Sequence, residues 1–217
     1  FPWNRAHTGG DYDFAIYNAI DTVSGADNAG WHPTQNLFWL GAGTGEDSRK
    51  WGFRQDVIAH EMGHGLNRKN INNGNGLTYS GQSGSIDEAL ADFWGAAYDN
   101  YVISGGTGIA TWPAGDDGQV WTIGQGFPSG RINRYIYNPR LWLHPQTNQP
   151  YYKDYHDGNI AGGTHEYSTV ISLALKLLVT GGKHPRASDI HRHATVPALG
   201  WQKVVAIIKY ALPEIAA

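Results

Sequence analysis

The sequence predicts an α+β fold whose second half is mostly helical. Three observations lead there. Apolar residues recur at helical spacing over 53–65, 85–101, 164–180 and 201–212. The clearest strand-like run is a short aromatic one near the start, at 36–40. Hydrophobic residues make up 41% of 217 positions against 16% charged, enough apolar material for a folded core.

Residues 11–23 carry Phe14, Ile16, Tyr17, Ile20 and Val23 at roughly helical spacing, which predicts a first helix before a glycine-bearing loop at 25–30. Asn36-Leu37-Phe38-Trp39-Leu40 reads as a strand, ended by the glycines of 41–45. The helix at 53–65 places Phe53, Val57 and Ile58 on its apolar side, with Gly65 as the expected stop. An Asn- and Gly-rich loop follows over 67–84. The helix at 85–101 buries Ile86, Leu90, Phe93, Trp94, Ala97 and Tyr101 as one stripe. Residues 105–150 are irregular, rich in Gly, Pro and aromatic side chains. The segment 164–180 is apolar nearly all round, which predicts a central buried helix terminated by Gly181-Gly182, and a last helix at 201–212 stops at Pro213. No internal repeat or low-complexity linker divides the chain. The expected organisation is a small β-containing N-terminal lobe at 1–66 and a mostly helical lobe at 67–217, working as one unit.

Composition removes several functions. A formal net charge of −3 gives no basic field for nucleic acid or anionic lipid. No apolar run reaches membrane-spanning length; the longest, 170–179, is interrupted by Ser172 and Lys176. With no cysteine, disulfides and thiolate metal sites are excluded, leaving His, Asp and Glu as strong metal ligands. Abundant Gly (29), Trp (9) and Tyr (12) with scarce lysine suggest a secreted enzyme, and a start at Phe1 without a leader pattern suggests a processed product. A monomer is expected.

The chemistry is concentrated in His60-Glu61-Met62-Gly63-His64. Histidines at i and i+4 share one helical face, so two imidazoles can meet one metal ion with a glutamate beside them. In a chain of this composition the pattern arises by chance roughly once in a hundred. A catalytic zinc takes three protein ligands plus water. Glu88 and Asp92 also stand at i and i+4: Glu88 is the candidate third ligand, and Asp92 can accept the outer N–H of a ligating imidazole. The plainer reading of Ser85-x-x-Glu88 is a capping box. Asp189-Ile190-His191-Arg192-His193 offers a second, weaker metal pattern, more simply read as a solvated charged turn.

With these motifs in place, the chain resembles the thermolysin family of gluzincins, zinc metalloendopeptidases. His60-Glu61-Met62-Gly63-His64 matches the zinc helix, and Ser83 to Gly95, with Glu88 and Asp92 at fixed offsets, is similar to the helix bearing the third ligand. The resemblance implies a thermolysin-like α+β fold with a central zinc-binding helix. It also implies roles for residues at matching positions. Asn36, in Asn36-Leu37-Phe38-Trp39, corresponds to an asparagine on an edge strand that holds the substrate backbone. Tyr79 corresponds to a donor to the developing oxyanion, Arg134 to the arginine that binds a substrate carbonyl, and His165, in Gly162-Gly163-Thr164-His165, to the catalytic histidine. Val57, Ile123 and Phe127 correspond to an apolar pocket for the residue after the scissile bond. A propeptide and a protein or peptide substrate are implied as well.

The departures are specific. The loop between the two motif helices is longer than the family's, and the early β-rich segment and last helices are shortened. Of a paired calcium site only Asp56 and Asp99 are kept, with Val120, Gln125 and Gly126 at other acidic positions, so at most a single weak calcium ion is expected. Ile160 stands where an aspartate should orient the catalytic histidine; Asp157 is the nearby substitute.

The expected reaction is peptide-bond hydrolysis by a metal-activated water, with zinc on His60, His64 and Glu88, Glu61 as general base, and Tyr79 and His165 stabilising the oxyanion. An exopeptidase of the gluzincin group and an inactive binding or toxin module with structural zinc are the alternatives. No Gly-x-Met-Glu-Asn-like anchor for a substrate amine is present, and a structural site has no use for Glu61, Tyr79 and His165 together.

Overall fold

Two long helices lie at the centre of the molecule because both carry glycine where they meet. The computed structural model describes residues 15–17, 28–35, 37–43, 51–112, 118–127, 129–130, 132–155, 163–188 and 194–215. Helix α1 is Gln55–Asn70 and helix α2 is Gly81–Ile103. A Cβ on Gly63 of α1 would stand 2.9 Å from the Ala91 Cα, and one on Gly95 of α2 would stand 2.8 Å from the Asp56 carbonyl oxygen. Any side chain at either position would force the backbones apart. This close approach brings the two motifs of the sequence face to face.

Helix α3, Thr164–Thr180, packs on α2, and Gly181, at φ 74°, ends it in a conformation that suits a residue without Cβ. The helix runs over the residues the sequence predicts, but its buried face is more polar than expected, with Ser168, Thr169, Ser172 and Lys176 inside. Helix α4, Trp201–Ala211, seats Trp201, Val204, Val205 and Ile208 in the core. There the Trp121 and Trp201 rings stack at 4.8 Å with only 3° between planes, and Phe93 and Trp112 pack against Trp201 at 5.3 and 5.2 Å. Aromatic packing thus fastens α4 to α2 and to the irregular segment.

The strands are short. β1 (Ala15–Tyr17), β2 (Ala29–His32) and β3 (Leu37–Leu40) form a sheet ordered β1-β3-β2, with β1 parallel and β2 antiparallel to β3. β4 (Thr122–Ile123) pairs with β5 (Arg134–Tyr135), and β6 (Gly182–Lys183) with β7 (Thr195–Val196). Among the described residues no helix is long and apolar enough to cross a membrane.

Four local expectations change. Residues 15–17 form β1 rather than part of a helix, because pairing with β3 overrides a short apolar period. The strand at 37–40 is central, so β2 is the edge that faces the cavity described below. Helix α1 passes through Gly65 to Asn70, since tertiary packing holds it and Arg68 and Lys69 suit its C-terminal dipole. Helix α2 starts at Gly81, one turn before the expected Ser85. Ser85 Oγ instead lies 3.0 Å from both the Gly81 and Thr164 carbonyl oxygens and shares its one proton between them, so Ser85 and Glu88 do not form a capping box.

Candidate metal centre

On α1 the i, i+4 spacing turns the buried His60 and His64 rings toward α2, with centroids 4.8 Å apart. The outer edge of each ring meets a carboxylate. His60 Nδ1 lies 3.0 Å from Asp92 Oδ1, and His64 Nδ1 lies 2.7 Å from Asp87 Oδ2. An ionised carboxylate only accepts, so each Nδ1 carries a proton and Nε2 is the ring atom left to ligate a metal once it is deprotonated. Both Nε2 atoms face Glu88, with His60 Nε2 3.5 Å from Oε2 and His64 Nε2 3.5 Å from Oε1.

These spacings fit a zinc ion. At 3.5 Å they are long for a hydrogen bond, whereas tetrahedral zinc with bonds of about 2.0–2.2 Å separates its donors by roughly 3.3–3.6 Å. Among the described residues Glu88 Oε2 is buried and accepts no hydrogen bond, although buried oxygens normally have a partner. His60, Glu61 and His64 also offer ligand atoms within 4.8 Å of one another, so a second carboxylate flanks the imidazoles. Each Glu88 oxygen faces one Nε2, so Glu88 stands beside Glu61 as a candidate third donor.

The charges ask for a cation too. Burial works against the Glu88 carboxylate, yet His64, His165 and His60 hold it well below the usual range. Burial alone would depress the His64 imidazolium, but Glu88, Asp87 and Glu61 hold its pKa up at about 10. Burial lifts the Glu61 carboxyl above its ordinary value, partly offset by His60 and His64. Asp92 is also raised by burial, but Arg134 and His60 bring it below its ordinary value.

Other residues singled out in the sequence surround this point. Tyr79, half-exposed in the loop before α2, donates its hydroxyl to Glu88 Oε1, and His165, at the start of α3, places Nε2 3.2 Å from the same oxygen. Tyr79 OH and His165 Nε2 lie 3.5 Å apart. Arg134, on β5, is buried and grips Asp92 Oδ1 through Nε at 2.9 Å and Nη2 at 2.6 Å. A cavity of about 570 Å³ opens in front, reached by His60, Glu61, His64, Glu88, Tyr79, Arg134 and His165. Its apolar wall holds Val57 and Ile123 together with Trp31, Trp39 and Trp51. Phe127 does not reach it: the ring is buried behind Trp51, with centroids 4.9 Å apart. Asn36, Asp157, Ile160 and the Asp189–His193 pattern lie outside the described residues.

Comparison with known proteins agrees with this geometry. The family model described as thermolysin metallopeptidase, catalytic domain, matches residues 4–68, and the one described as thermolysin metallopeptidase, alpha-helical domain, matches 75–215. The chain belongs to the thermolysin metallopeptidase family. It is 28% identical over 185 residues to bacillolysin of Brevibacillus brevis, covering 84% of this chain and 31% of that protein. It is also 28% identical over 198 residues to thermolysin of Alicyclobacillus acidocaldarius, covering 91% and 32%. The chain therefore spans about a third of the length of the curated relatives it matches. The solved precursor of protealysin, a metalloproteinase from Serratia proteamaculans, shares the fold with a TM-score of 0.55 at 20% identity, covering 87% of this chain and 52% of that one.

In this thermolysin-family chain the sequence reading missed Asp87, the residue next to Glu88, which supports His64. The available signal was an acid adjacent to the third-ligand position. The calcium residues show a different chemistry. Asp56 accepts N–H groups from Val57 and Gly124, and Asp99 accepts from the Gln125 amide at 3.2 Å. The Arg54 guanidinium donates to the carbonyls of Gln125 and Gly126. N–H groups engage an oxygen of each acid, and the two carboxylates also repel one another.

Proposed function

We propose that this chain is the catalytic part of a zinc-dependent endopeptidase, with His60, His64 and Glu88 as the zinc ligands. The observation that carries this is the pair of Nε2 atoms each 3.5 Å from an oxygen of the buried Glu88 carboxylate. Zinc, when bound, supplies Lewis-acid chemistry that acidifies a water and polarises a carbonyl.

The remaining work falls to the chain's own side chains. Glu61 is buried beside the imidazoles, and burial raises its proton affinity. That suits a group that takes a proton from the attacking water and returns it to the leaving amine. Tyr79 OH and His165 Nε2 converge on one side of Glu88 and supply donors for an oxyanion that forms beside them. Arg134 lines the cavity within a fixed pair with Asp92, which suits positioning of a substrate carbonyl rather than chemistry. Asn36 is proposed for the same task on family resemblance alone. The walls of Val57, Ile123 and three tryptophans suit an apolar side chain of a protein or peptide substrate. Export and release from a longer precursor belong to the same proposal; the protealysin neighbour is a precursor.

Glu61→Gln tests the proposal. It should retain zinc and lose casein hydrolysis by roughly 10²-fold or more. Unchanged hydrolysis would remove Glu61 from the mechanism. A peptide blocked at both ends should be cut by the unmodified protein, since an exopeptidase would leave it intact.

A further inference from the structure

Each of the two metal-facing imidazoles has its own support, and the supports are built differently. His60 rests on Asp92, which is itself held by the Arg134 guanidinium. His64 rests on Asp87, where a neutral amide takes the place of a guanidinium. Asn67 Nδ2 donates to Asp87 Oδ1 at 2.9 Å and to the Asp87 carbonyl at 3.0 Å. Asn67 Oδ1 accepts from Trp94 Nε1 at 3.3 Å. The indole only donates, so it fixes which end of the amide faces it and turns Nδ2 onto Asp87. Asp87 Oδ1 is then engaged, and Oδ2 is left for His64 Nδ1 at 2.7 Å.

Asn67 and Trp94 are fully buried. The chain of bonds Trp94–Asn67–Asp87–His64 also closes a loop through the backbone. Asn67 lies three residues after His64 on α1, and Asp87 immediately precedes Glu88 on α2. The Asn67–Asp87 pair therefore clamps the two helices together beside the contact between His64 and Glu88. We propose that Asn67 and Asp87 are positioning residues that set the orientation of His64, and its spacing to Glu88, before metal binds.

This inference rests on zinc as the resident metal, and the experiment separates the two. Metal-stripped protein is titrated with zinc against a chromophoric chelator, and the cobalt-substituted spectrum reports site geometry. Asp87→Ala should weaken zinc binding about 10–100-fold, with Asp87→Asn restoring most of it because an amide oxygen still accepts from Nδ1. Asn67→Ala and Trp94→Phe should each weaken zinc by a smaller factor. In the Asp87→Ala background, Asn67→Ala should have no further effect, since its influence passes through Asp87. Should Asn67→Ala fold poorly by circular dichroism, Trp94→Phe carries the same test with little change of volume. Additive losses in the double variant, or wild-type zinc affinity in every variant, overturn the relay while leaving the zinc site standing. A wild-type protein that binds no zinc overturns both.

Discussion

Helices α1 and α2 hold two acidic clusters, and their chemistry is opposite. Opposite the middle of α1, Glu88 of α2 turns its oxygens on two imidazole Nε2 atoms, and among the described residues one of those oxygens has no hydrogen-bond partner. Asp56 at the start of α1 and Asp99 near the end of α2 are met by main-chain N–H groups, a glutamine amide and the nearby Arg54. Carboxylates alone do not make a cation site. What decides is whether neighbouring donors have already satisfied the oxygens.

The largest expected effect breaks the first cluster. Glu88→Ala should lower zinc affinity on the order of 10³-fold, beyond the 10–100-fold typical of residues that only support a ligand. It should also remove ligand-induced stabilisation. At zinc 100-fold above its dissociation constant, binding adds about 2.7 kcal/mol, and each kcal/mol moves the Tm of a domain this size by roughly 2–4 °C. Zinc-dependent melting of Glu88→Ala equal to that of the unmodified protein would assign the third ligand elsewhere, with Glu61 the first candidate.

The two clusters also differ in how much of them the sequence shows. The metal side was readable because it follows the helical repeat. His60 with His64, and Glu88 with Asp92, are i, i+4 pairs, and any helix there must place each pair on one face. Asp87 escaped because its partner comes from another helix, and sequence spacing says nothing about where α1 and α2 cross. The crossing depends on Gly63 and Gly95, whose missing side chains matter only once the neighbour is known. The strand at 37–40 was legible from composition, whereas its central place in the sheet was not, since order depends on partners far away in sequence. Phe127 matched a pocket position but is buried behind Trp51, a packing outcome that no local pattern encodes.

An intermediate effect is expected at the second cluster. Arg54→Met removes the guanidinium donor from the part-buried Gln125 carbonyl and the exposed Gly126 carbonyl, and with water able to replace part of it the loss is about 0.5–1.5 kcal/mol. Tm should fall by several degrees, and millimolar calcium should not restore it. Restoration by calcium would show that the acids at this corner form a cation site after all, and the contrast between the two clusters would disappear.

The smallest effect comes from Asp99 and shows itself as a pH dependence. Burial first, and the neighbouring Asp56 second, push its pKa up to about 7, against the opposing pull of Gln125 and Arg54. A carboxyl whose folded pKa is raised favours the fold while it is protonated. That contribution is complete below about pH 4, declines as pH rises toward 7, and is gone above it. Asp99→Asn keeps an oxygen for the Gln125 amide but carries no charge. It should match the unmodified protein at pH 4 and melt higher at pH 8, by roughly 2–4 °C for each kcal/mol that remains after solvent screening of this partly exposed group. An equal offset at both pH values would mean that Asp99 titrates as an ordinary surface acid. Its pairing with Asp56 would then impose no electrostatic strain, and nitrogen donors would have compensated the second cluster fully.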